Sequence, residues 1–513
     1  MNKFMSLEEA VKLVDDNASI AVSGNGGGIM EPNFLFEALE KRFLDTGHPT
    51  NLTLTHSAGI GDKADGGISR FAHEGMIKRV VGGHWGWSPR MQALANENKI
   101  EAYNFPQGIV AMQYREVAAH RVGLITKTGL KTFVDPRISG AKLNSCTKED
   151  LVELVEMNGE EWLHYKPYRF DCAFIRGSFG DAEGNISMEQ EPAYLEALQI
   201  AQAVHNCGGK VICQVKYAAK AGTMDPKNVR IPGILVDAVV VCPAQVQTTE
   251  GEFNPALTGD LKIPEDSIAP MKLDQRKVVA RRAAMEMKPG MVMNLGFGMP
   301  DGVAKVAAEE GIADYAKMTI EQGIIGGIPA SGAIFGVAYN AESMVDGPSQ
   351  FDFYNGGGLD MTCLGLAQAD RMGNVNVSKF GPTISGAGGF IDISQTAKKC
   401  VFCGTFTTGG LKTEIRDGQL HILQEGRVKK FVKDVEHITF SGEFAQQTKQ
   451  KVLYVTERAV FEMTGQGLVL KEIAPGVDLQ KDILDQMEFV PLMPQQPTLM
   501  DRRIFCPESM GLK

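Results

Sequence analysis

A chain of 513 residues exceeds what one hydrophobic core organises, so two domains are expected and a third is possible. With 43% hydrophobic and 22% charged residues, a large core is available, while a formal net charge of -10 argues against a nucleic-acid surface or an anionic membrane as partner. No apolar run reaches membrane-spanning length, and Met1 to Met5 lead into a helical pattern rather than a signal peptide, so a cytoplasmic protein is expected.

Ser6-Leu7-Glu8-Glu9 is a capping-box pattern, followed by Leu7, Ala10, Val11 and Val14 at helical spacing. Ser19 to Ser23 reads as a strand, Gly24-Asn25-Gly26-Gly27-Gly28 as a glycine turn, and Pro32 as the opening of a helix over 33–43. Strand, glycine turn and helix in this order make a unit of an open α/β fold, where ligands sit beyond the carboxyl ends of strands. The unit recurs: Met291 to Leu295 as strand, Gly296-Phe297-Gly298 as turn, Pro300 opening a helix. Gly24 pairs with Gly296 and Pro32 with Pro300. Asn51–Thr55 parallels Lys317–Glu321, and Asp181–Ile186 parallels Asp370–Val375. Two related α/β domains are therefore expected, 1–262 and 263–513, joined in the stretch from Glu250 to Asp274 where Pro255, Gly259, Pro264 and Pro270 break any periodicity. Lys127 to Tyr165 reads as an insertion in the first half, and the strand-rich tail after Gly410 as the completion of the second.

Several chemistries are excluded by spacing. In the run from Gly404 to Thr413 the lysine, Lys412, stands two places too late for a P-loop. Neither early glycine turn carries the third glycine of a dinucleotide fingerprint. The histidines show no metal spacing, so no metal is expected, and no G-x-S-x-G elbow is present. Nine cysteines argue against a disulfide framework. Cys400 and Cys403, three apart on an apolar strand, point to opposite faces and read as core.

What remains is one carboxylate among glycines. Thr319, Ile320 and Ile324 favour extended backbone and deliver Glu321 into Gly323, Gly326 and Gly327. Further glycine turns follow at Asn355-Gly356-Gly357-Gly358 and Ser385-Gly386-Ala387-Gly388-Gly389. Backbone N–H groups in such turns suit an oxyanion hole or a phosphate cradle.

The run around Glu321 resembles the active-site segment of family I CoA-transferases, and most closely the single-chain propionate CoA-transferase type, also called acetyl-CoA:acetate or 3-ketoacid CoA-transferase. Phe351–Asp360, Gly373–Pro382, Phe402–Phe406 and Tyr454–Arg458 carry the resemblance in the second half; Glu40–Leu44, Phe71–Gly75 and Val134–Arg137 carry it in the first. It extends over nearly the whole chain. It implies two open α/β domains of the CoA-transferase kind, similar to sugar-phosphate isomerases, with the second carrying the catalytic glutamate. Glu321 would be the nucleophile, forming a mixed anhydride and then a glutamyl-CoA thioester. The Gly388 N–H, in a turn shaped by Gly386 and Gly389, would stabilise the oxyanion, and Gln107 would position the carboxylate. Asn294, Gly296, Gly298, Gly323, Asn355, Gly356, Gly357 and Gly358 would contact CoA, and Gly26 to Gly28 would line the acyl side between the halves. The implied substrates are acyl-CoA and short-chain carboxylic acids of the acetate and propionate class. CoA would serve as substrate and covalent intermediate, with no permanently bound cofactor, and the protein would be a homodimer or homotetramer. Gln322 departs from the small residue the family carries there, which bears on acyl preference. A thioesterase on the same scaffold, with water as acceptor, and a non-catalytic ligand sensor are the alternatives. The absence of a basic helix-turn-helix stretch weighs against a DNA-binding sensor.

Overall fold

The computed structural model describes residues 2–264 and 270–513. Residues 265–269, in the middle of the expected domain junction, lie outside the described residues, as does Met1. The chain forms two compact units. The first comprises 1–262 together with 321–352 and 382–392; the second comprises 263–320, 353–381 and 393–513. The expected cut at Lys262 is where the first unit is left, but two later segments belong to it as well, and one of them begins at Glu321. Glu321 is thus part of the first unit, not of the second as the family resemblance implied.

In the first unit, α1 (Leu7–Val11) starts on the expected capping box: the Ser6 side chain accepts from the Glu9 N–H, and the Glu9 carboxylate accepts from the Ser6 N–H at 3.0 Å. Four strands then run parallel in sequence order, β1 (Ser19–Val22), β2 (Leu52–His56), β3 (Ile77–Gly82) and β4 (Glu101–Asn104). The chain returns to the other side of β1 with Cys172–Asp181, then Lys210–Ala219 and Ala238–Val241, all parallel. The order of connection therefore reverses between β1 and Cys172–Asp181. That reversal is the switch point of the sheet, and the carboxyl end of β1 there is the turn 24–28. Helix α2 (Asn33–Thr46) follows the turn and stops at Gly47, whose φ of 75° suits only glycine well. Its Leu35, Phe36 and Leu39 are fully buried with Ile20, Val22, Leu52, Leu54 and Phe174.

The expected insertion supplies Val152–Met157 and Glu160–Tyr165 to a three-stranded antiparallel sheet whose third strand, Leu124–Thr126, lies just before it. Asn158 and Gly159 turn its hairpin, both with positive φ.

The second unit repeats the pattern. Ala316–Ile320, Met291–Leu295, Met361–Gly365, Lys399–Cys403 and Lys451–Val455 lie side by side and parallel. Ala459–Thr464 and Gly467–Ile473 extend them antiparallel, so the strand-rich tail completes this unit. The duplicated loops match bond for bond. Asp181 Oδ1 accepts from the Glu183 and Asn185 N–H groups at 2.9 and 3.0 Å, and Asp370 Oδ1 from Met372 and Asn374 at the same two distances. Asn185 Oδ1 accepts from Gly233 N–H and Asn374 Oδ1 from Gly442 N–H, both at 2.9 Å.

The strand register corrects one pairing. Val22 lies in register with His56, and Asn294 with Thr319. With Gly24 and Gly296 as counterparts, each two residues beyond these strand positions, Glu321 corresponds to Ala58 rather than to Thr55.

Cys400 and Cys403 sit buried on Lys399–Cys403, and burial contributes to raising both thiols. Among the described residues no group of His, Cys, Asp and Glu could hold a metal ion, and no helix is long and apolar enough to cross a membrane.

Candidate active site

Glu321 follows directly on the parallel strand Ala316–Ile320 and is 9% exposed. The chain bends at Gly323, where φ is 97° and the N–H of Val345 donates to the Gly323 carbonyl at 2.8 Å. A Cβ at 323 would overlap the Val345 carbonyl, so the crossing of two chain segments accounts for this glycine. Beyond it, Ile324–Ile325 pairs with Ser343–Met344 and Ile328–Pro329 with Ala338–Tyr339, both antiparallel. This excursion is tied down by Arg115 on α4 (Gln107–Ala118), which donates to Asp346 at 3.1 Å and Ser349 at 2.9 Å and also pairs with Asp352.

The glycine turn 24–28 meets the same excursion. Asn25 Oδ1 accepts from the Gln322 amide at 3.0 Å, and Asn25 Nδ2 donates to the Phe335 carbonyl at 3.2 Å. Gly27 has a φ of 82°, and a Cβ there would strike the Ala333 carbonyl. The turn is held from below by Arg176, buried on Cys172–Asp181. Its guanidinium makes a two-pronged pair with Glu191 at 3.1 and 2.9 Å and donates to the Gly28 carbonyl at 2.9 Å.

The remaining wall is built by two aromatic residues that sequence reasoning missed. The Trp87 indole lies where a side chain at Gly26 would stand. A Cβ at Gly59 would come within 2.5 Å of Trp87 and 2.6 Å of His84 Nδ1. Lys63 Nζ sits 4.5 Å from the Trp87 ring centroid, in cation–π range. A Cβ at Gly388 would stand 3.4 Å from His84 Cδ2 and 3.8 Å from Gln107 Oε1. A chain of neighbouring residues therefore runs from Gln322 through Asn25, Gly26, Trp87 and His84 to Gly388 and Gln107.

Gln107 is the first residue of α4 and nearly buried, with its N–H donating to the Gly388 carbonyl at 2.9 Å. The loop that carries Gly388 is tied to the strand ends. Trp85 and Gly86 donate to the Ser385 carbonyl at 2.8 and 2.9 Å, Ala387 donates to Asn104 Oδ1 at 2.9 Å, and Asp392 accepts from the Gly108 N–H at 3.0 Å. The Gly388 N–H itself donates to the Gly83 carbonyl at 2.8 Å. The donor expected to serve an oxyanion thus has a backbone acceptor in this structure. The Gly389 N–H, one residue on and buried, has no hydrogen bond among the described residues, an uncommon state for a buried donor.

The expected CoA contacts divide. Asn294 is fully buried, and its amide donates to the Thr319 carbonyl at 3.3 Å and the Tyr354 hydroxyl at 3.4 Å. It braces the strand leading to Glu321. Gly296 donates to the Cys363 carbonyl at 2.8 Å, while around Gly298, with φ of 90°, the space is open. Asn355 ends a helix. Gly357 and Gly358 donate back to Tyr354 and Phe353 at 2.9 and 3.0 Å as its closing turn, and Gly356 is exposed. Those two N–H groups are therefore not the free phosphate cradle the glycines suggested.

Charges near the wall are tuned by burial. Burial lifts the Glu31 carboxyl to about 8, against the opposing hydrogen bonds from the Gly61 N–H and the Asn33 amide. His84 is pulled down to about 4 by desolvation, with smaller contributions from His56 and the Lys63 ammonium. The His84 Nδ1 accepts the Gly86 N–H at 3.2 Å, which leaves the ring proton on Nε2. Glu31, His84 and Trp87 carry no motif; only the packing brings them to the turn.

The family model of coenzyme A transferases matches residues 4–242. Over 508 residues the chain is 51% identical to the acetate CoA-transferase YdiF of Escherichia coli (strain K12), covering 99% of this chain and 96% of that protein. It is 46% identical over 520 residues to the caffeate CoA-transferase of Acetobacterium woodii, covering 100% and 99%. The acyl-CoA transferase YdiF of Escherichia coli O157:H7, solved as a thioester complex with CoA, is similar with a TM-score of 0.95 and 50% identity, over 99% of this chain and 97% of that one. The chain belongs to the coenzyme A transferase family and is an enzyme that transfers CoA.

Proposed function

We propose that the protein transfers CoA between short-chain acyl groups of the acetate and propionate class, in two half-reactions that share a thioester on Glu321. The supporting observation is the position of Glu321: a carboxylate just past the end of a parallel strand, buried, and followed by Gln322, whose amide is held by Asn25 of the glycine turn.

A Glu321 carboxylate oxygen attacks the thioester carbonyl carbon, and the carbon–sulfur bond breaks to release CoA thiolate. The product is a mixed anhydride between Glu321 and the acyl group. The thiolate then attacks the glutamyl carbonyl carbon, expels the first carboxylate and leaves glutamyl-CoA. An acceptor carboxylate runs the same steps in reverse. No ATP is consumed, because the thioester bond energy is kept in the enzyme adduct. Low exposure of Glu321 serves this chemistry by keeping water from both intermediates. The reading assigns Gln107 to orienting the carboxylate and the buried Gly389 N–H, in place of Gly388, to the developing oxyanion, with Gly386 shaping that loop. It keeps Gly296, Gly298, Asn355 and Gly356 as CoA contacts. The relatives' names span acetate and caffeate. The small class is favoured here because Gln322, fixed by Asn25, takes space beside the nucleophile.

The test is mass spectrometry of protein mixed with acetyl-CoA and digested, together with Glu321→Ala. A CoA-derived adduct on the peptide holding Glu321, and loss of transfer in the folded variant, are expected. A fully active Glu321→Ala protein refutes the assignment.

A further inference from the structure

We propose that His84 is a further catalytic residue, donating its Nε2–H to the oxygen that gains negative charge when Glu321 attacks the thioester; the proposal rests on the Glu321 reading above. Two geometric facts carry it. The Gly388 N–H is consumed by the Gly83 carbonyl, so the loop cannot present that donor. The edge of the His84 ring then fills the place beside it: Cδ2 would stand 3.4 Å from a Cβ at Gly388, and Nε2, the next ring atom, 3.5 Å from one at Gly86.

The tautomer is set by the chain itself. Gly86 N–H points at Nδ1 at 3.2 Å, so Nδ1 accepts and Nε2 keeps the proton. The ring is packed against Gly59, where a Cβ would lie 2.6 Å from Nδ1, and its backbone is packed against Gly386, where a Cβ would lie 2.8 Å from His84 Cα. Such immobility is what an oxyanion donor needs, because no reorganisation remains to be made during the reaction. The titratable groups facing the ring, His56 and Lys63, both disfavour its cation, and desolvation disfavours it more strongly. A neutral donor is the useful form here. An imidazolium would pair with the ground-state Glu321 carboxylate and blunt its attack, whereas a neutral N–H strengthens only as charge develops on the oxygen. Trp87 packs against Gly26 and Gly59 on the Nδ1 side of the imidazole.

The experiment compares His84→Met, His84→Phe and His84→Gln with the wild type, following exchange of labelled acetate into acetyl-CoA and the Glu321 adduct by mass. Removing an oxyanion donor lowers kcat by about 100-fold or more, so Met and Phe are expected to fall by that factor with little change in KM. Gln, which restores an N–H, is expected to stay within about tenfold of wild type. Circular dichroism and CoA affinity identify any variant that fails to fold, and the Met–Gln comparison decides if Phe does. Wild-type turnover in His84→Met overturns the proposal, and so does a folded Gln variant as slow as Met, since a packing role predicts no rescue. A wild-type protein that never carries the adduct on Glu321 overturns instead the reading beneath it.

Discussion

Glu31 offers a quantitative test of how the glycine turn is supported. Its side chain packs under Gly24, 3.1 Å from where a Cβ would be, and accepts the Gly61 N–H at 2.8 Å. Burial raises its pKa from 4.5 to about 8, so the folded protein holds a proton that the unfolded chain has already released. Where the native state binds more protons than the unfolded state, stability falls as pH rises. The contribution is thus fully present below the unfolded value of 4.5 and lost progressively until the folded value of about 8 is passed. Between about pH 5 and pH 8 the proton difference is close to one, which at ~1.4 kcal/mol per pH unit removes about 3 kcal/mol. Glu31→Gln keeps an acceptor for the Gly61 N–H and cannot ionise, and its amide suits Asn33 once the Asn33 amide turns over. Urea unfolding of both proteins, followed by circular dichroism across that range at constant ionic strength, reads the difference. The variant should gain about 3 kcal/mol relative to wild type on going from pH 5 to pH 8. Curves that stay parallel within about 0.5 kcal/mol would show that Glu31 ionises alike in both states and refute the reasoning.

Two further perturbations probe the same turn. Arg176→Met leaves Glu191 buried without its partner and frees the Gly28 carbonyl, so a loss of about 3–5 kcal/mol in urea unfolding is expected, and a loss below about 1 kcal/mol would mean the pair does not hold the turn. Gly27→Ala meets a φ of 82°, which costs about 1–2 kcal/mol in left-handed backbone, and its methyl group strikes the Ala333 carbonyl. Because Ala333 and Phe335 lie on the same excursion as Gln322, kcat/KM for acetyl-CoA should fall with stability; unchanged kinetics in a destabilised protein would separate the turn from the site.

What the sequence made legible was local. Ser6 and Glu9 sit within one helical turn, and the strand, glycine turn and helix around Gly24 need only neighbouring residues to be recognised. The Asp181 and Asp370 loops are self-contained as well: each carboxylate satisfies N–H groups two and four residues on, so the pattern survives in the letters. What the letters did not show is long-range. The Gly388 donor is lost to Gly83, Asn294 is walled in by Thr319 and Tyr354, and the segments starting at Glu321 and Pro382 join the first unit through partners such as Asn25 and Asn96. Glycine in a sequence announces either a ligand or another piece of backbone; at Gly323 and Gly27 it was backbone.

The duplication separates what folding demands from what the chemistry demands. Loops that make the same bonds in both halves are explained by closing the same turn twice and imply nothing about catalysis. The register places Glu321 at the position of Ala58, and Gln322 at that of Gly59. Nothing in the repeated strand requires a carboxylate there, since the first half closes its own strand end without one. At Gly59 the first half cannot carry any side chain, because Trp87 and His84 occupy the space a Cβ would need. In the second half the equivalent position bears Gln322, whose amide reaches Asn25 in the glycine turn of the first unit. One copy has therefore been emptied to admit Trp87 and His84, while the other has been filled with Glu321 and with Gln322, which reaches Asn25. Such opposite departures from a shared frame mark Glu321, Trp87 and His84 as residues that the repeated fold does not itself demand.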